Sequence, residues 1–211
     1  EYEYSYNYQN WYPSAEYETN NTIKNVGLFD LTPFSKFEIK SDKAQQELQR
    51  ICTANIKNEI GKCTYTQMLN SDGGIETDLT VVCLNQNHFR IISSAVTRER
   101  DKFHINKHLS QDVKLKDITD DYCVFGLFGP KSRDLIKSIS KDNFDKDNFK
   151  FGTAKYIAIE GVKIWAQRLS YVGELGYELY VDISDAKKIY ELLIEKGKDF
   201  NLSNCGMHAM D

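Results

Sequence analysis

Two stretches of this chain place a tyrosine and a carboxylate where strand pairing would bring them to one face. The first runs from Tyr65 to Asp78 and contains Ser71-Asp72-Gly73-Gly74, whose Asp-Gly pair favours a tight hairpin turn. With Asp72 and Gly73 as the turn residues, Asn70 faces Ile75, Gln67 faces Asp78 and Tyr65 faces Thr80. Tyr65 and Asp78 then become diagonal neighbours with backbones roughly 7–8 Å apart, near enough for both side chains to touch one ligand. Ile75, Leu79, Val81 and Cys83 fall mostly on the other face and supply the core. Asp78 reads either as a solvated strand carboxylate, like its neighbour Glu76, or as a carboxylate set in a cleft.

The second stretch is Arg168-Leu-Ser-Tyr171-Val-Gly-Glu-Leu-Gly-Tyr-Glu178-Leu-Tyr180. If residues 173–176 form a four-residue connection, Val172 faces Tyr177 and Tyr171 lies across from Glu178. That is again a tyrosine beside an acid, and again either a solvated sheet face or a ligand-binding pair. Glu174, in the loop, reads as a turn or surface residue.

Other chemistry is poorly supported. His88, His104, His108 and His208 form no metal-like cluster with the cysteines, and His104 with His108, one helical turn apart, lacks a third ligand. The glycines of Val26-Gly27-Leu-Phe-Asp and Gly126-Leu-Phe-Gly-Pro read as turns at strand ends, without the spacing of a phosphate or dinucleotide fingerprint. No serine or cysteine nucleophile motif is present. Five cysteines (Cys52, Cys63, Cys83, Cys123, Cys205), with no Cys-x-x-Cys, read as reduced thiols, most of them filling the core. A net charge of -4 with scattered Lys and Arg argues against a nucleic-acid partner. No apolar run approaches the roughly 20 residues of a membrane span, and the first residues lack the pattern of a signal peptide, so a soluble protein is expected, cytoplasmic or in the mitochondrial matrix of a eukaryote.

The elements that must hold the two pairs follow from periodicity. Residues 1–25, rich in Tyr and Asn and without a sustained period, are expected to be an extended arm on a domain covering 26–211. Strands are predicted over 35–40, 62–70, 75–84, 89–93, 113–118, 122–128, 154–159, 162–170 and 177–181. Helices are predicted from Asp42 to Cys52, over 98–108, from Gly129-Pro130 to Ile139, and over 184–196 with the stripe Ile189, Tyr190, Leu193, Ile194. Residues 160–161 join two of the strands, and 141–150, the most polar stretch, reads as an exposed loop. Strands joined mostly by hairpins with helices interspersed define an α+β domain with mixed or antiparallel sheets.

Several segments fall in the order and spacing of one family: Asn10-Trp-Tyr-Pro13, VGLFDLTPFSKFEI from Val26, YTQMLNSDGGIETDLTV from Tyr65, VFGLFGPKSRDLI from Val124, FGTA from Phe151, RLSYVGELGYELYV from Arg168 and the closing HAMD. The chain resembles the aminomethyltransferase (glycine cleavage T-protein) family over nearly its whole length, in the form found in dimethylglycine and sarcosine dehydrogenases. The resemblance implies a tetrahydrofolate-binding domain that receives a one-carbon unit as 5,10-methylenetetrahydrofolate. Its amine would be a small N-methylated amino acid derivative, oxidised by a flavin domain or subunit that carries FAD and is absent from this chain. It assigns Asp78 as the catalytic carboxylate, Tyr65 and Tyr171 as folate-contacting tyrosines, and Glu178 as the acid that binds the pterin, the two pairs lining one pocket. The family continues past HAMD into an Arg-containing helix and a small β-barrel, so a chain truncated at its C-terminal end is expected. Two alternatives remain: a free-standing glycine-cleavage transferase or tetrahydrofolate-dependent demethylase, and a non-catalytic regulatory subunit of the same fold, like that of pyruvate dehydrogenase phosphatase.

Overall fold

Pro13 sits in the first turn of helix α1 (Tyr12–Lys24), where its missing N–H costs nothing. The structure, a computed structural model, describes residues 1–210; Asp211, which ends the HAMD segment, lies outside the described residues. The arm expected to be extended over 1–25 is thus helical in its second half, and within it residues 1–11 and Asn25 hold neither helix nor strand. The helix escapes a periodicity reading because Thr22 is its one fully buried residue, so no apolar stripe marks it.

From α1 the chain passes through β1 (Val26–Asp30), β2 (Ser35–Lys40), α2 (Ala44–Ile51), β3 (Cys63–Leu69), β4 (Ile75–Asn85), β5 (His88–Ser93), α3 (Arg98–His108) and β6 (Leu115–Asp117). It continues through β7 (Tyr122–Phe128), α4 (Ser132–Ile139), β8 (Ala154–Ile159), β9 (Val162–Gln167), β10 (Gly176–Asp182), α5 (Ala186–Gly197) and β11 (Leu202–Cys205). The described residues fall into two compact units: one of residues 1–31, 123–151 and 156 onward, the other of 32–122 and 152–155.

The first unit carries a six-stranded sheet in the order β11-β1-β7-β10-β9-β8, with β11 parallel to β1 and β7 antiparallel to it. On one face Val26, Leu28, Leu127, Ile164, Ala166, Leu179 and Val181 pack with Leu135 and Ile136 of α4 and Ile189 and Leu193 of α5. β11 has no counterpart among the predicted strands, since Leu-Ser-Asn-Cys is short and polar. Gly27 and Gly126 lie inside β1 and β7 rather than at turns. A β-carbon on Gly27 would run into the Thr22 hydroxyl of α1, so the glycine lets helix and strand approach. The 141–150 stretch is not simply an exposed loop: Phe144 and Phe149 are buried, their rings 5.9 Å and 5.6 Å from that of Tyr177. Truncating Phe149 to Ala removes one side of that aromatic cluster and is expected to cost about 3–5 kcal/mol, read as a lower urea midpoint at unchanged slope.

The second unit is a five-stranded sheet, β3-β4-β5-β2-β6, whose strand pairs are antiparallel. Phe37, Ile39, Leu79, Val81, Cys83, Phe89 and Ile91 line one face and meet Ala44 and Leu48 of α2 and Ile105 of α3. Glu38 points the other way and takes a forked pair of bonds from Arg90, Nε at 3.1 Å and Nη2 at 2.7 Å. Burial pushes the Glu38 carboxyl up, but Arg90 and His88 outweigh it and hold it below its usual value. None of the five cysteines is in a disulfide, and three of them are buried. No helix among the described residues is long and apolar enough to cross a membrane.

Candidate functional site

The β3–β4 hairpin positions the first pair. Gln67 faces Asp78 and Tyr65 faces Thr80, the registers expected from the sequence, and the Tyr65 hydroxyl donates to Asp78 Oδ2 at 2.7 Å. At the turn the register differs: Leu69 rather than Asn70 faces Ile75, and the pairing shifts between Met68 and Leu69. The Asn70 carbonyl accepts from Gly73 N–H at 3.1 Å, and Gly73 takes φ +82°, a left-handed conformation that suits glycine. Three residues, 71–73, therefore form the loop, and a compensating bulge restores the expected register before Asp78. The same bulge turns Ile75 outward, so it is 68% exposed and does not join Leu79, Val81 and Cys83 in the core.

Thr77 and Arg100 hold the strand in place around Asp78. Thr77 points to the buried side and donates to Asp101 of α3 at 3.1 Å, and Arg100 donates to the Glu76 carbonyl. Asp78 itself is exposed, and Tyr65 is 62% exposed, so the bonded pair is presented to solvent rather than sealed in a core. A phenol donating to a carboxylate fixes which oxygen stays open to a ligand, and such bonds are stronger than those between neutral groups.

The second pair is built differently from expectation. β9 ends at Gln167 and β10 begins at Gly176, so the connection spans eight residues, 168–175, and not four. Glu178 pairs with Gln167, and Tyr171 lies in the loop, 62% exposed, rather than opposite Glu178. The four-residue connection failed because Arg168 folds back on the loop, its Nη1 donating to the Gly176 carbonyl at 3.0 Å, so pairing stops at Gln167. The tyrosine at the carboxyl of Glu178 is instead Tyr180, two residues along the same strand and hence on the same face, whose hydroxyl donates at 3.0 Å. Tyr180 was legible in principle, since residues i and i+2 of a strand always share a face.

Glu178 keeps a partly accessible surface, yet burial of its carboxyl pushes its pKa up to about 7, against the smaller opposing effect of the Tyr180 hydrogen bond. Such a group titrates near neutrality and can gain or lose a proton when a ligand arrives. Gln167, facing it, is fully buried, and neither atom of its amide has a partner among the described residues. A carboxylate that accepts two parallel N–H bonds suits the edge of a planar nitrogen heterocycle.

His104 and His108 offer no comparable site. Their rings lie 4.5 Å apart, and His108 Nδ1 sits 2.8 Å from the His104 carbonyl of its own helix.

Mixed and antiparallel sheets with interspersed helices, carrying acids at strand positions in each unit, define an α+β fold. The chain belongs to the GCVT N-terminal domain family, whose model matches residues 1–211. It is 33% identical over 211 residues to 4-methylaminobutanoate oxidase (formaldehyde-forming) of Paenarthrobacter nicotinovorans, covering 100% of this chain and 26% of that protein. It is 30% identical over 214 residues to mitochondrial dimethylglycine dehydrogenase of Rattus norvegicus, covering 100% of this chain and 25% of that protein. The chain thus spans about a quarter of the length of these relatives. Its fold matches the crystal structure of glycine cleavage system aminomethyltransferase T from Bartonella henselae with a TM-score of 0.81 at 19% identity, over 100% of this chain and 57% of that one.

Proposed function

We propose that this chain is the tetrahydrofolate-binding, one-carbon transfer domain of an N-methyl amine dehydrogenase, and that its product is 5,10-methylenetetrahydrofolate. A flavin domain or subunit would supply the carbon as the iminium of a small N-methylated amino acid derivative. The observation that carries the reading is the Tyr65–Asp78 bond, which holds an exposed carboxylate on the β3–β4 hairpin. In this role Asp78 stabilises positive charge on the nitrogen centres of the condensation and takes up the amine proton, with Tyr65 holding it in orientation. Glu178 accepts N–H bonds from the aminopyrimidinone edge of the pterin, and Tyr171, exposed on its loop, lies along the folate. The relatives support this context: one is a dimethylglycine dehydrogenase by name, another an oxidase that forms formaldehyde.

The test is calorimetric titration of the intact protein with tetrahydrofolate, alongside an assay for 5,10-methylenetetrahydrofolate during amine turnover. Saturable binding with a Kd on the order of micromolar is expected. Binding no tighter than that of a control protein blind to folate would end the reading.

A further inference from the structure

Residues 1–23 hold six tyrosines, Trp11 and the acids Glu1, Glu3, Glu16 and Glu18, and the first basic residue of the chain is Lys24. The chemistry assigned to Asp78 and Glu178 uses none of them. Rings set among acids and away from bases make a surface of negative potential, because the face of an aromatic ring is itself electron-rich.

Part of this stretch is folded into a corner. Trp11 is half-buried, and His208 stacks on it with centroids 5.1 Å apart and planes at 22°. Tyr2 stands across the indole at 85° with centroids 5.0 Å apart, and Tyr4 at 67° with 5.3 Å. Asn10 ties the segment back on both sides of Tyr2: its Oδ1 accepts from the Glu3 N–H at 3.0 Å, and its Nδ2 donates to the Glu1 carbonyl at 2.8 Å. Glu1, Tyr2, Asn10 and Trp11 line an open cleft of about 240 Å³, the share of liquid volume of roughly eight water molecules. With the Asn10 amide bonded at both ends, the cleft offers a ligand two aromatic rings and a carboxylate.

Elsewhere the chain covers rings with its own cations: Arg90 lies over Tyr122, Lys163 over Tyr156 and Arg168 over Tyr177. Among the described residues no lysine or arginine lies over Tyr2, Tyr4 or Trp11. We propose that this cleft binds a small methylated ammonium ion, quaternary or a protonated N-methyl amine, against Tyr2 and Trp11 with Glu1 as the counter-charge. Such an ion has few or no N–H donors to satisfy and carries its charge on an apolar surface, so ring faces suit it better than hydrogen-bond acceptors do. None of the residues assigned to folate takes part, so the two readings stand or fall separately.

Choline and 3,3-dimethylbutan-1-ol share a shape and differ at one centre, a charged nitrogen against a neutral carbon. Titrated into the intact protein and followed by ligand-observed NMR, choline is expected to bind with a Kd on the order of millimolar, its methyl protons shifted upfield by the ring currents, and the alcohol about tenfold more weakly. Tyr2→Leu should bring the two affinities together, and Glu1→Gln should weaken choline by about two- to fivefold without moving the alcohol. Both side chains are exposed, so neither variant should shift the melting temperature. Equal binding of the two compounds by the wild type would make the corner an apolar contact face and overturn the inference. So would the absence of saturable choline binding, or a Tyr2→Leu protein that keeps the full preference. Tetrahydrofolate titration of the same samples tests the folate reading independently of these outcomes.

Discussion

Replacing Asp78 by Asn in the intact protein is expected to slow formation of 5,10-methylenetetrahydrofolate by about 10²–10³-fold, with a much smaller change in tetrahydrofolate affinity. The substitution keeps shape and the ability to accept from the Tyr65 hydroxyl, which donates to Asp78 Oδ2 at 2.7 Å. What it removes is the negative charge and the capacity to take a proton. Positive charge builds up at nitrogen during condensation, so a fixed carboxylate acts mainly on the transition state, and its loss appears in kcat rather than KM. Amine oxidation should continue, and the iminium left uncaptured reacts with water to give the secondary or primary amine and formaldehyde. Free formaldehyde should therefore rise as the folate product falls, with total carbon conserved. Tyr65→Phe, which leaves the charge and removes only its orienting bond, should cost about tenfold. Equal losses in the two variants, or a wild-type folate product rate in Asp78→Asn, would remove Asp78 from the chemistry. Because Asp78 is exposed on its strand, neither variant should disturb folding, and the melting temperature provides that control.

The pairing around Asp78 was readable because period-two alternation and an Asp-Gly turn together set strand register. The bulge near Glu76 was not, yet it cancelled the longer loop and returned Gln67 to face Asp78. Ile75, inside the altered stretch, is where the reading failed. At Glu178 the same reasoning went wrong because nothing in Arg168-Leu-Ser-Tyr171 announces that an arginine will bond the Gly176 carbonyl and lengthen the loop to eight residues. Helix α1 and strand β11 were missed for a shared reason: each presents mostly polar side chains, and hydrophobic period is silent where little is buried. The burial of Gln167 lay beyond any pattern of its own strand, whose alternation places it on the face opposite Ala166 and says nothing of what covers that face.

Glu178 should make stability and folate affinity respond to pH in opposite directions. Its carboxyl, pushed by burial from 4.5 to about 7, holds its proton more tightly in the folded protein than in the unfolded chain. The ligand-free protein therefore has its full stability from this group below its ordinary value and loses it as pH rises through about 7, on the order of 3 kcal/mol if nothing compensates. Donor N–H groups of a bound pterin reverse the balance, because they stabilise the carboxylate and not the acid. Binding should then release a proton near neutrality, and affinity should rise about tenfold between roughly pH 6 and 8. Calorimetry in buffers of different ionisation enthalpy measures that proton directly, and thermal melts across the same range measure the stability. Glu178→Gln should flatten both profiles and weaken tetrahydrofolate by about 10–100-fold, the worth of a charge-assisted bond, while raising the melting temperature above pH 7. An unchanged pH profile in that variant would place the titrating group elsewhere, and with it the anchor of the pterin.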